Sequence, residues 1–166
     1  MNTTIANTSS RDDQPDIVVV SPDGEYLLLV LLKLTSSIDR GLDRFLIDCL
    51  KHYMVALGCS NGLLICGATV MLLRDSLEQS DGSSIRVIGE AKLPDALLPS
   101  TKNQSPVNIG WEFETRIQEW LEGLTLTANA QQLPEDLQHL FSESILNLLR
   151  MGEIRAGGPR WDQVTA

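Results

Sequence analysis

One stretch of this sequence decides the fold: Pro15-Asp16-Ile17-Val18-Val19-Val20-Ser21-Pro22-Asp23-Gly24-Glu25-Tyr26-Leu27-Leu28-Leu29-Val30-Leu31-Leu32-Lys33. Two apolar runs, the first rich in valine and the second in leucine, flank an Asp-Gly pair. That arrangement is a strong signal for a β-hairpin. If Asp23 and Gly24 are the two turn residues, Pro22 faces Glu25 and Asp16 faces Leu31.

The same register predicts that three side chains gather on one face of the hairpin. Opposed residues have Cβ atoms about 5 Å apart, and side chains alternate along a strand, so Lys33 shares the face of Leu31 and Asp16. An acid at position 31 would give two carboxylates for a hard divalent cation and a lysine beside an attacked phosphate. The residue at position 31 is leucine.

Both faces of the hairpin are apolar, which predicts a place inside a layered sheet rather than on a half-solvated surface. The pattern assigns Val18, Val20, Leu27 and Leu29 to one face and Ile17, Val19, Leu28 and Val30 to the other. The predicted fold class is therefore α/β. A central mixed β-sheet is built on the N-terminal hairpin and flanked by helices, and the C-terminal region is helical.

The remaining elements are predicted from apolar periodicity and from Gly and Pro positions. They are a helix from Ser36 or Ser37 to residue 57, strands over 62–66 and 69–73, a short edge strand over 85–88, an irregular stretch over 91–109, a helix carrying the stripe Phe113–Leu124, and a helix from Pro134 to Gly152. A right-handed crossover through the first helix makes the second hairpin strand parallel to the 62–66 strand. The expected organisation is a disordered segment over 1–14, one domain over 15–152 and a flexible tail over 153–166.

Composition limits the classes of function. The chain has 166 residues and a net charge of −9, from 13 Lys and Arg against 22 Asp and Glu. This excess of acidic residues argues against a dedicated nucleic-acid-binding surface. Three cysteines without metal spacing indicate buried thiols in a reducing compartment. The polar N-terminus lacks a signal-peptide core, so the expected location is the cytoplasm. Residues 54–73 are apolar, but glycines interrupt them, and two short strands are expected there instead of a membrane span.

The hairpin resembles that of the PD-(D/E)XK, or restriction-endonuclease-like, superfamily. Pro15-Asp16 matches the first motif element, and Leu31-Leu32-Lys33 stands where the family has acid-X-Lys. The chain is similar to a group of small bacterial proteins of this fold, abundant in cyanobacteria. The further matching pieces are Ser21-Pro22-Asp23-Gly24 and Phe113-Glu114…Trp120-Leu121, and the resemblance covers roughly residues 15–150.

The resemblance implies a Mg²⁺ site. In the family, the aspartate, the acid and the carbonyl of the middle residue bind Mg²⁺, and the lysine orients the attacking water. By carry-over, Asp16 is a metal ligand, Leu32 offers its backbone carbonyl and Lys33 is the catalytic lysine. Leu31 has no metal-binding group, and one carboxylate with one carbonyl makes a weak site for a cation that prefers an octahedral oxygen shell.

Each candidate site residue also has an alternative interpretation in which its role is purely structural. Asp16 is either a ligand or a solvated residue at a strand entrance, and Lys33 is either catalytic or an exposed strand-end lysine. Asp39 or Asp43, on the following helix, is a candidate substitute for the missing acid. The structural role of Asp39 is to stabilise the first turn of that helix, and that of Asp43 is to occupy its polar face.

Three functions are carried forward from the sequence. The first is a catalytically degenerate nuclease-like module without a cofactor, which acts by binding a protein partner or by self-association. The second is a Mg²⁺-dependent DNA or RNA endonuclease that uses Asp16, Lys33 and a migrated acid. The third is a nucleic-acid binder without cleavage, which the charge does not support. No membrane partner is expected.

Overall fold

A computed structural model of the chain describes residues 14–34, 40–99 and 106–157. The first half contains β1 (Ile17–Val20), β2 (Tyr26–Lys33), α1 (Arg40–Leu57), β3 (Asn61–Cys66), β4 (Thr69–Asp75) and β5 (Ile85–Lys92). The second half contains a 3-10 turn (Asp95–Leu97), α2 (Pro106–Gly123), α3 (Thr127–Gln131), α4 (Glu135–Leu140), α5 (Glu143–Met151) and β6 (Glu153–Ala156). The predicted disorder of residues 1–14 falls, apart from Gln14, outside the described residues.

The six strands form one open mixed sheet in the order β5-β4-β3-β2-β1-β6. The pair β2–β3 is parallel and the other four neighbouring pairs are antiparallel. Helix α1 connects the two parallel strands and packs against both of them. The α/β class, the central mixed sheet and the helical C-terminal region are thus confirmed.

The hairpin has the predicted register over most of its length. Ile17 faces Val30, Val18 faces Leu29 and Val19 faces Leu28. The prediction of a two-residue turn is wrong. The Gly24 N–H donates to the Ser21 carbonyl at 2.9 Å, and the Ser21 N–H donates to the Glu25 carbonyl at 2.8 Å, so Pro22, Asp23 and Gly24 form a three-residue loop.

A β-bulge at Leu27 reconciles the longer loop with the predicted register. Val20 pairs with Tyr26 and Val19 with Leu28, which leaves Leu27 as the extra residue of β2. A bulge changes the face to which the extra side chain points. Leu27 therefore packs against the core that contains Ile17 and Val19, and its predicted place on the face of Val18 is wrong.

The sheet separates two hydrophobic cores. One side is covered by the C-terminal helices, with Phe113, Ile117, Leu121, Leu137 and Ile145 fully buried against the strands. The other side is covered by α1 through Leu46, Leu50 and Met54. These three residues follow four-residue spacing, the apolar stripe expected of a helix lying on a sheet.

Three regions differ from the sequence predictions. Strand β5 runs to Lys92 because it pairs with β4 along its whole length. The helix predicted from Pro134 to Gly152 is two helices, because Phe141 has non-helical φ −88° and ψ 68° and Ser142 is the N-cap of α5. Glu153–Ala156, predicted as part of a flexible tail, form β6 and pair with β1, since Ile154 buries its side chain in the larger core.

The apolar stretch over residues 54–73 contains the end of α1, β3 and most of β4. Among the residues that the structure describes, no helix has the length and apolar content needed to cross a bilayer.

Candidate functional site

Asp16 lies where β1 begins, beside the end of β2. Its side chain is half-buried, and its Oδ2 atom accepts a hydrogen bond from the Leu32 backbone N–H at 2.7 Å. Its own N–H donates to the Val30 carbonyl at 2.9 Å, and its carbonyl accepts from the Gly157 N–H at 3.0 Å. Asp16 thus joins β1, β2 and the end of β6.

The local sequence explains this use of the carboxylate. Pro15 is buried and has no backbone N–H, so it cannot donate to a strand ladder. The pairing of β1 with β2 stops at Ile17–Val30, and beyond it a side-chain oxygen accepts the next N–H of β2. Hydrogen bonds to an ionised acceptor are shorter and stronger than neutral ones, and the 2.7 Å distance fits that type.

Leu31 and Lys33 take opposite environments. Leu31 is half-buried and packs against the core under α1, whereas the Lys33 side chain is exposed. Strand β3 holds this segment, because Leu31 pairs with Leu64 and Lys33 with Cys66. The backbone that would carry acid-X-Lys is therefore firmly placed, while the side chain at its first position is part of a hydrophobic contact.

The residues that the structure describes contain no group of three or more His, Cys, Asp or Glu residues close enough to share a cation. Asp16 supplies a carboxylate at the predicted hairpin site, and one of its oxygens accepts the hydrogen bond from the Leu32 N–H. Asp39 and the side chain of Asp43, the predicted substitute acids, lie outside the described residues.

A second polar region lies at the opposite end of the sheet, and the sequence analysis did not identify it. A cavity of about 600 Å³ opens beside the hairpin loop. Its lining includes Glu25, Tyr26, Ser60, Asn61 and Leu148. The Asn61 side chain accepts a hydrogen bond from Arg74 Nε at 3.2 Å. No sequence motif joins these residues, because they come from three strands, one helix and two loops.

A buried thiol lies next to this region. Cys59 is 3% exposed, and its Sγ donates to the Asn61 carbonyl at 3.2 Å. Burial raises the Cys59 pKa to about 11, although hydrogen bonds to backbone groups of Asn61 and Leu29 oppose the shift. A thiol with a raised pKa is a poor nucleophile at neutral pH, so Cys59 serves packing rather than chemistry.

Comparison with known proteins adds no relative. No protein-family model, no curated protein and no solved structure matches this chain.

Proposed function

We propose that this protein is a catalytically degenerate PD-(D/E)XK-like module that acts by binding a protein partner or a second copy of itself. The observation that carries this proposal is the identity and the packing of Leu31. The side chain at the first position of the acid-X-Lys element packs into the core under α1. A nuclease needs a metal-binding oxygen at that position to neutralise charge on the phosphate.

The hydrogen bond of Asp16 supports the same conclusion. A metal ligand offers its carboxylate oxygens to the cation, and here one oxygen holds the Leu32 N–H at 2.7 Å. This bond gives the aspartate a structural reason to be present without a metal. The Pro-Asp element of the family hairpin is then retained as a device that joins β1 to β2.

The charge and the surface favour a protein partner over nucleic acid. A net charge of −9 opposes binding to a phosphate backbone. Helix α1 presents Phe45, which is 62% exposed, on its side away from the sheet. Exposed aromatic residues are frequent anchors in protein interfaces, so this face of α1 is the proposed contact surface.

The first test is a cleavage assay on plasmid and single-stranded DNA in Mg²⁺ and then Mn²⁺. Wild type and Lys33→Ala are compared, because the Lys33 side chain is exposed and its removal is expected to leave the fold intact, with Asp16→Ala as a further variant. No cleavage by any of the proteins is expected. Cleavage that disappears in both variants would overturn the proposal in favour of the metal-dependent endonuclease, with Asp39 or Asp43 as the migrated acid.

The second test restores the missing acid. In Leu31→Glu, two carboxylates face one another at the end of the hairpin, and Mn²⁺ binding in the millimolar range is expected by titration calorimetry. Leu31→Gln is the matched control, since it has the same shape without the charge. Equal heats from both variants would mean that the hairpin does not have the geometry of the family site.

The contact surface is tested separately by light scattering after size exclusion, and by affinity capture with the full chain as bait. Phe45→Ser is expected to weaken self-association or partner capture. Asp48→Ser, on the same exposed side of α1, is the control. If Phe45→Ser and Asp48→Ser behave alike in both assays, α1 is not the contact surface.

A further inference from the structure

Three donor-bearing side chains form a row across the end of the sheet. Asn61 of β3 pairs with Arg74 of β4, and Arg74 pairs with Arg86 of β5. Directly opposed residues share a face and have Cβ atoms about 5 Å apart. The row lies on the side of the C-terminal helices, because Leu63 and Leu72, each two positions away along its strand, belong to that core.

The two guanidinium groups are like charges at directly opposed positions, an arrangement that destabilises a sheet. Within the described part of the chain, no carboxylate forms a salt bridge with either group. The only hydrogen bond that the Arg74 side chain makes in this part of the chain is from Nε to Asn61 Oδ1 at 3.2 Å. That bond leaves the outer nitrogens of Arg74 available and orients them, while Arg86 is exposed beside them.

The neighbouring acidic group does not neutralise the pair. Asp75 follows Arg74 directly, but the alternation of side chains places it on the opposite face of β4. Its carboxylate accepts hydrogen bonds from the Ser84 hydroxyl at 2.6 Å and from the Leu77 N–H at 2.8 Å. In a chain of net charge −9, this paired positive charge is a local exception.

We infer that Arg74 and Arg86, with Asn61 as the orienting residue, form a binding site for a terminal phosphate group. Guanidinium forks bind phosphate oxygens in pairs, and two arginines paired on adjacent strands, with Cβ atoms about 5 Å apart, can turn both forks towards one anion with three terminal oxygens. The cavity of about 600 Å³ is lined by Asn61 and Glu25 and by neither arginine, so the remainder of a small phosphate monoester would extend from the arginines past Asn61 into it. This inference is independent of the proposed protein-binding function, because it concerns the other end of the sheet.

The test is a titration of the ¹⁵N-labelled full chain with inorganic phosphate, followed by a nucleoside 5′-monophosphate, at constant ionic strength. Millimolar dissociation constants are expected, with shifts of the arginine Nε–H signals and of the Asn61 side-chain amide. Tighter binding of the monophosphate than of inorganic phosphate would assign the cavity to the organic part of the ligand. Equal affinities would limit the site to the phosphate group itself.

Arg86→Gln is the principal variant, because the Arg86 side chain is exposed and forms no hydrogen bond or ion pair with the described residues, so the fold should tolerate the change. It is expected to weaken phosphate binding at least about tenfold, consistent with loss of one charged fork. Arg44→Gln, which removes an exposed arginine of α1, is the control and should bind as wild type does. Equal binding by all three proteins, or no saturable shift in wild type, would overturn the inference, as would acetate producing the same shifts at the same concentration.

Discussion

Asp16 closes the hairpin through its side chain, and the strength of that bond can be measured. Asp16→Ala leaves the Leu32 N–H without its acceptor, and an unmet buried donor costs about 1–3 kcal/mol. Asp16→Asn keeps a carbonyl oxygen and is expected to lose about half as much, since a neutral acceptor forms a weaker bond. Urea unfolding of the three proteins measures both differences. Equal losses in the two variants would show that the charge of Asp16, and not the hydrogen bond, matters for folding.

Cys59 makes the free energy of unfolding depend on pH in the alkaline range. Burial raises its pKa from 9.0 to about 11 in the folded chain. Between these values the unfolded chain releases the thiol proton while the folded chain retains it. The stabilisation is therefore complete below pH 9 and is lost as the pH rises towards 11. The expected loss near pH 10.5 is about 2 kcal/mol.

Cys59→Ala isolates this effect, because every other titrating group is common to both proteins. Urea unfolding is measured at neutral pH and near pH 10.5 for wild type and variant. The wild-type free energy of unfolding should fall more steeply with pH than that of the variant. Parallel pH profiles would contradict the assignment of the shift to burial of this thiol.

At the scale of elements, Gly152 permits the chain to turn from α5 into β6. A Cβ atom added there would lie 2.6 Å from Val19 Cγ1 and 3.0 Å from the Val20 carbonyl. Its φ of −112° is open to any residue, so close approach to β1 is what requires glycine. Gly152→Ala is expected to cost about 1–3 kcal/mol by forcing α5 and β1 apart.

Gly123→Ala is the matched control for that prediction. The last residue of α2 meets only Asn129 Nδ2 at 3.6 Å, an ordinary contact, and alanine is the better helix former. The control should be neutral or slightly stabilising in thermal unfolding. A Gly152→Ala protein as stable as this control would show that β1 and α5 separate without cost.

The elements also show where sequence patterns succeed and fail. The hairpin, α1 and the β3–β4 pair were predictable because each has a strong local period and is bounded by turn residues. The break between α4 and α5 was not, because Leu137, Phe141 and Ile145 keep helical spacing across it. Strand β6 was missed because it has four residues with one buried apolar side chain, Ile154, and forms only where β1 offers an edge.

The candidate sites follow the same division. The position of Asp16 opposite Leu31 depends on local alternation, and the sequence predicted the register beside it. The hydrogen bond from the Leu32 N–H to the Asp16 side chain was not predictable. It forms because the backbone pairing of β1 with β2 ends at Ile17, and the sequence does not show where that pairing ends. Arg74 faces Arg86 because β5 has a bulge where the pairing passes from Leu72 to Leu73 of β4. The bulge shifts the register of the two strands, and no sequence period reveals it.

At the scale of the whole molecule, the two ends of the described chain meet in the sheet. Strand β1 lies between β2 and β6, and Ile17, Val18, Val19 and Val20 pair with Ala156, Arg155, Ile154 and Glu153. Because β6 follows the other five strands of this sheet in the chain, the edge of β1 stays open during synthesis until residue 156 has been made. An open apolar edge is a template for association with other chains.

A chain that ends at Gly152 should therefore be unstable and prone to aggregate. It lacks the backbone hydrogen bonds of four residue pairs and the burial of Ile154, together worth roughly 3–6 kcal/mol. A chain that ends at Gly157 keeps β6 and the hydrogen bond from Gly157 to Asp16, so it is the control and should unfold as the full chain does. Thermal unfolding and light scattering compare the two truncations. If the chain ending at Gly152 is monomeric and as stable as the control, β1 tolerates an open edge, and β6 serves something other than closure of the sheet.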